Sequence, residues 1–167
     1  LPDFSPDAES YLRHCRWLLD QGADGLAIFG TTSEANSLSV DERITLLEFL
    51  LENDIPAERL MPGTGMSALT DTVKLTTHAV SCGCAGVLML PPFYYKGVSD
   101  DGLFASYSEV IQRVGDERLN IYLYHIPPVS QIGISLELIG RLLRDSPDVI
   151  VGLKDSSGDW NNTASIL

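Results

Sequence analysis

The sequence predicts an α/β fold: a (β/α)8 TIM barrel present only in part, as about five βα units. Three observations predict it. Five short apolar stretches centre near Ala27, Leu60, Val87, Ile121 and Ile150, at gaps of 33, 27, 34 and 29 residues. A helical pattern fills every gap, which is the size of one parallel crossover unit. Polar clusters follow the strands, at Thr31-Thr32-Ser33-Glu34, Thr64, Tyr94-Tyr95, Tyr124-His125 and Lys154-Asp155-Ser156. A barrel builds its site from those strand ends. An open doubly wound sheet shares the periodicity but calls for G-x-G-x-x-G. Gly63-Thr64-Gly65 is followed by Ala68 where the third glycine belongs. The GK[ST] of a phosphate-binding loop is missing there too.

The elements follow in order. Ser5-Pro6-Asp7-Ala8-Glu9 reads as a helix start, with Ser5 as N-cap and Pro6 at the first position. Tyr11, Leu12, Cys15, Leu18 and Leu19 keep helical spacing up to Gln21-Gly22. Gly25 to Gly30 is an apolar strand. Ser39-Val40-Asp41-Glu42 is a capping box, and its helix runs through Leu51. Arg59 to Gly65 is a weaker strand, broken by Pro and Gly. Ser67 to Cys82 is a third helix and Gly86 to Leu90 a strand, which exits through Pro91-Pro92. Ser99 caps a helix to about Val114. Leu119 to Tyr124 is a strand stopped by Pro127-Pro128, and Ser135 to Arg144 is a helix. The strand Val149 to Lys154 and a helix capped by Asp159 complete the pattern. Strand alternation places Ile150, Gly152 and Lys154 on one face, turned inward, with Gly152 leaving room beside the amine. Residues 1–167 are therefore expected to form one incomplete barrel domain. The first strand, the last two βα units and any C-terminal helices are expected to be absent.

Composition narrows the function classes. Hydrophobic residues make up 44% and charged residues 20%, as in globular proteins with a core. The formal net charge of −12 speaks against nucleic acid or an anionic membrane surface as partner. No apolar run reaches the roughly 20 residues a bilayer span needs. Cys15, Cys82 and Cys84 fit neither a disulfide framework nor a CxxC site, and are expected to be buried thiols in a reducing cytoplasm. No His/Asp/Glu cluster has metal-ligand spacing, so no metal or other cofactor is expected.

The chain holds three lysines, and Lys154 alone follows a hydrophobic strand. Desolvation disfavours an ammonium ion and favours the free amine, the form that attacks a carbonyl to make a Schiff base. A lysine at a strand end can equally snorkel to solvent. The surrounding constellation decides between these readings.

Gly30-Thr31-Thr32-Ser33-Glu34, Pro92-Phe93-Tyr94-Tyr95, Tyr124-His125-Ile126-Pro127 and Gly152-Leu153-Lys154-Asp155 occur in this order and spacing. Together they resemble the family of dihydrodipicolinate synthase and N-acetylneuraminate lyase, over essentially the whole chain. The resemblance implies a (β/α)8 barrel and class I aldolase chemistry on pyruvate without a cofactor. It further implies a cytoplasmic homo-oligomer, a dimer of dimers. By the same resemblance, Lys154 forms the Schiff base and Tyr124 passes protons near it. Thr31 is the relay threonine. Tyr95 reaches into the adjacent subunit's site to complete the relay. Thr32 helps bind the substrate carboxylate and Ser33 lies beside it, so both are read as substrate-binding. His125 reads as packing.

Two departures stand out. Ser33 replaces the family's usual glycine, which is expected to restrict the turn. Val129 stands where lysine-pathway synthases typically carry a carboxylate-binding arginine. The expected activity is therefore a lyase or synthase that condenses pyruvate with an aldehyde, or cleaves a 2-keto acid to pyruvate. Alternatives are 4-hydroxy-tetrahydrodipicolinate synthase proper, acting on aspartate semialdehyde, and a non-catalytic keto-acid-binding barrel.

Overall fold

The computed structural model describes residues 1–167. Three parallel strands form the regular sheet: β1 (Val87–Met89), β2 (Ile121–His125) and β3 (Ile150–Asp155), in that spatial order. Two extended segments continue the sheet beyond β1. Leu26 bridges Leu60, and Gly63 bridges Leu88, both in parallel. Leu26 N–H donates to the Arg59 carbonyl at 2.7 Å, and Gly63 N–H to the Ile28 carbonyl at 2.7 Å. All five expected strand positions thus lie side by side in chain order, as a barrel wall requires.

The two outer segments fall short of regular strands for local reasons. Pro62 has no N–H to donate. Residues 25–30 pair only on one side, and Phe29 leaves the extended region at φ 54°.

Helices α1 (Ala8–Asp20), α2 (Val40–Glu52), α3 (Leu69–Ser81), α4 (Asp100–Val114), α6 (Leu136–Asp145) and α7 (Trp160–Ile166) follow the predicted pattern. Ser39 and Glu42 complete the capping box of α2. Ser99, Ser135 and Asp159 cap α4, α6 and α7. The start of α1 differs: Asp7 is the N-cap and accepts from Ser10 N–H, while Ser5 bonds to Asp3. A carboxylate is the stronger acceptor for a helix N-terminus, so the cap moves two residues on. The single turn α5 (Pro127–Ser130) adds a helix the sequence reads as a stop, because Pro is tolerated at the first helical positions. No helix is long and apolar enough to cross a membrane.

The helices pack in series against one side of the sheet: α1 on α2, α2 on α3, α3 on α4 and α4 on α6. Strand alternation divides the residues accordingly. Val87, Met89, Ile121, Leu123 and Ile150 join the helical residues Leu103, Val110, Leu138 and Leu142 in the larger core. Leu26, Ile28 and Leu60 do the same with α1 and α2. The opposite face carries Leu88, Tyr122 and Tyr124, the interior of the barrel wall.

The register of β3 corrects one expectation. Ile121 pairs with Ile150 but Tyr122 with Gly152, so a bulge inserts one residue at Val151. Ile150 therefore faces the helices, while Gly152 and Lys154 face inward opposite Tyr122 and Tyr124. Gly152 does not open space beside the amine. The Tyr122 ring fills it, with Cδ1 2.6 Å from where a Cβ would stand.

Gly63 is a second close approach. A Cβ there would overlap the Phe29 carbonyl oxygen, which is backbone and cannot swing aside. Gly63→Ala is expected to destabilise the fold by about 3 kcal/mol, read as a lowered denaturant midpoint. A midpoint within error of the parent would contradict this packing.

Candidate active site

Parallel pairing builds the centre of the site. Tyr124 of β2 sits in direct register with Lys154 of β3, on the inner face. Lys154 Nζ lies over the Tyr124 ring, 4.2 Å from its centroid. No carboxylate pairs with this amine, although acidic residues outnumber basic ones two to one. The ring face offers the cation a weak partner, on the order of 1 kcal/mol.

The turn after Ile28 delivers the third group. Tyr124 Oη donates to Thr31 Oγ1 at 3.3 Å, across 93 residues of sequence. Phe29 (φ 54°) and Glu34 (φ 52°) hold the turn on either side in left-handed conformations. Phe29 is a bulky residue to find there, and its ring stacks on Tyr11 at 6.1 Å. The left-handed positions do not fall on Ser33, so serine meets no backbone strain where the family's glycine is replaced.

Two effects oppose each other at Tyr124. Burial pushes the phenol up. The hydrogen bonds to Thr31 and Lys154, the Lys154 charge and the Ser156 hydroxyl pull it down, and together they win. The net result is a phenol more acidic than an ordinary tyrosine. Ser156 belongs to the polar end of the Lys154 strand, but its influence on Tyr124 was not legible from spacing. Its N–H donates to the His125 carbonyl at 2.7 Å, which continues the β2–β3 ladder by one residue and aims its side chain.

An open cleft of about 600 Å³ runs along the unpaired edge of residues 25–30 and reaches the amine. Lys154, Thr31, Thr32, Ser33 and Glu34 line it, as do Tyr11 and His14 from α1. Of the six site residues expected, five thus border one space or touch each other: Lys154, Tyr124, Thr31, Thr32 and Ser33. Tyr95 does not join them. Its side chain is 57% exposed and packs edge-on against Tyr94, at 5.6 Å and 87°.

The other polar strand ends have structural work. Thr64 is buried and shares a hydrogen bond with Thr76 at 3.0 Å. His125 is buried, and its Nδ1 accepts from Ile134 N–H at 3.0 Å, in keeping with a packing role. Asp155 accepts from Thr163, Asn162 and the Ser157 N–H. Burial raises its carboxyl, but these donors hold it well below the usual carboxylate range. It anchors α7 to β3. Cys15 is buried and Cys82 and Cys84 are half-buried, all three unbridged. Burial pushes the Cys84 thiol up to about 12. No group of three potential metal ligands exists.

The family model described as "Dihydrodipicolinate synthetase family" matches residues 5–167. A DapA-like lyase of Chloroflexus aurantiacus is 37% identical over 155 residues, covering 92% of this chain and 51% of that protein. The crystal structure of dihydrodipicolinate synthase from Agrobacterium tumefaciens superposes with a TM-score of 0.91 at 36% identity, over 95% of this chain and 55% of that one. The chloride-inhibited dihydrodipicolinate synthase of Acinetobacter baumannii, solved with pyruvate, gives a TM-score of 0.83 at 27% identity, over 98% and 54%. The chain spans about half the length of the curated relatives it matches.

The opposing effects on Tyr124 can be separated by titration. Its phenol should ionise below the usual tyrosine pKa of about 10. Lys154→Ala removes a positive charge and a donor, so the Tyr124 ionisation should move to higher pH. Ultraviolet difference titration of the parent, Lys154→Ala and Tyr124→Phe reads this directly. An unchanged Tyr124 titration in Lys154→Ala would mean that the amine does not act on the phenol.

Proposed function

The chain belongs to the dihydrodipicolinate synthetase family, and on that premise we propose that it carries the Schiff-base centre of a pyruvate-dependent class I aldolase. The observation that carries the reading is the inward Lys154 amine, free of any carboxylate, over a tyrosine already bonded to a threonine.

In the proposed reaction the free amine of Lys154 attacks the keto carbon of pyruvate. The carbonyl oxygen takes up protons and leaves as water, and a protonated imine remains. The cationic nitrogen then draws electrons from the adjacent methyl, which loses a proton to give an enamine. The enamine carbon attacks an aldehyde, and hydrolysis releases the product and the lysine. Read backwards, the same steps cleave a 2-keto acid to pyruvate. Each stage moves a proton at the imine, and Tyr124, beside the amine, is suited to carry it. Its lowered pKa brings it nearer the working pH, where a general acid–base group is most effective. Thr31 extends the path by one hydroxyl. Thr32 and Ser33 line the cavity where the pyruvate carboxylate would lie.

Tyr95 acts, in this proposal, on a second copy of the chain. Its exposure and its edge-on packing against Tyr94 suit a residue that serves a neighbouring subunit in a homo-oligomer. A cytoplasmic setting, with three unbridged thiols, goes with the same proposal.

Val129 narrows the acceptor. It is 56% exposed in the one-turn helix after β2 and offers no charge to a second carboxylate. A neutral or hydroxylated aldehyde is therefore proposed as the partner, ahead of aspartate semialdehyde.

Two experiments test these readings in the full-length protein. Borohydride added with pyruvate should label Lys154 irreversibly, with the mass of one reduced pyruvate unit, and Lys154→Ala should remove both label and activity. An intact mass that stays unchanged after treatment sinks the Schiff-base reading. Val129→Arg should raise kcat/KM for aspartate semialdehyde by about tenfold or more, as one charge-assisted carboxylate contact allows. No gain would remove Val129 as the determinant.

A further inference from the structure

Arg43 is the least expected residue of the core. It is only 2% exposed, on the face of α2 that also carries Leu46, Leu47 and Leu50. No carboxylate pairs with it, and burial alone lowers its pKa. One guanidinium nitrogen, Nη2, donates to the Ala35 carbonyl, in the turn that begins at Thr31. The Nε–H is buried and has no acceptor. An unpaired buried cation is unfavourable, and an apolar residue would pack there without that penalty.

The space beside it supplies a reason. Arg43 borders a small cavity of about 20 Å³, whose other walls include Thr31, Asn36, Tyr124 and the glycine backbone at Gly63 and Gly65. That volume holds one water molecule. Tyr124 already donates to Thr31 Oγ1, so the Thr31 proton must point to another acceptor. A guanidinium cannot accept, and a water held by it can.

We propose that Arg43 is a positioning residue for the Thr31–Tyr124 pair, acting through the Ala35 carbonyl and through one buried water. The water oxygen accepts from Arg43 Nε–H and from the Thr31 hydroxyl. The Thr31 oxygen then keeps its lone pairs toward Tyr124 and draws the phenol proton. The cation at the end of the chain of hydrogen bonds gives it one direction. This rests on the proposed function, because it concerns the proton path of that same site.

The test uses the full-length protein with Arg43→Gln and Arg43→Lys. Two quantities are read: borohydride trapping of pyruvate, and the exchange of pyruvate methyl protons in deuterated water as a function of pH. Both variants should trap pyruvate. Arg43→Gln should exchange at least on the order of tenfold more slowly, with a pH profile displaced from the parent's as Thr31 loses its fixed orientation toward Tyr124. Arg43→Lys keeps the charge but not the fork that reaches two acceptors, so its profile should fall between the two. It decides the matter alone if Arg43→Gln does not fold. A variant with the parent's pH profile overturns the proposal, whatever its stability, since a packing role would change only the yield of folded protein. Failure of the parent itself to trap pyruvate defeats the aldolase reading instead.

Discussion

One hydrogen bond reaches across most of the sheet. Tyr124 lies on β2, next to the last strand, and Thr31 follows the first extended segment. Between them stand the segment at residues 60–64 and β1. The bond can form only if those intervening strands curve, so that the inner face closes on itself. Curvature in turn depends on how nearly adjacent backbones approach, and Gly63 allows the closest of these contacts, against Phe29. The Thr31–Tyr124 bond is thus a report on the whole wall. It exists because the outer face is packed by helices in series and the inner face is lean enough to bend.

The chemistry of the site follows from what that inner face leaves out. An acidic chain with three lysines would ordinarily pair each of them, and Lys74 does bind Asp41 at 2.7 Å on the surface. Lys154 instead faces a ring. An ion pair would hold the amine protonated and blunt its nucleophilicity. A ring face offers the cation only a weak partner. The same amine makes Tyr124 more acidic. Burial opposes this, and the outcome at Tyr124 is set by donors and charge rather than by burial.

Much of this was legible in the sequence because strand spacing and cap residues are local signals. Ser39, Ser99, Ser135 and Asp159 cap where their patterns say they should. The five strand positions and the polar strand ends were legible for the same reason, since parallel strands of one repeat place equivalent ends side by side, while the assignment of Tyr124 and Thr31 to Lys154 came from the family resemblance. Three features were not. The bulge at Val151 breaks alternation, and nothing in an apolar run marks which residue will be left out of register. The left-handed turn positions fall on Phe29 and Glu34, residue types that carry no such signal. Arg43 reads as a surface residue until its spacing is noticed. It stands three, four and seven residues before Leu46, Leu47 and Leu50, on the apolar stripe of the helix. A charge at such a position is a sign that the core is interrupted on purpose.

The division of the sheet into two faces also separates stability from function. The outer clusters hold 15 and 11 buried residues, and the inner one only three, of which one is Tyr124 itself. Burial of apolar area is what holds a domain together, so most of the folding free energy lies between strands and helices. The inner face contributes little of it. Its residues are consequently free to be polar, to approach closely, or to remain unpaired, each of which would be penalised on the other side. Glycines at 63, 65 and 152 stand there because backbone or a tyrosine ring occupies the space a side chain would take. A barrel can therefore exchange inner residues while the helical shell keeps the wall in place.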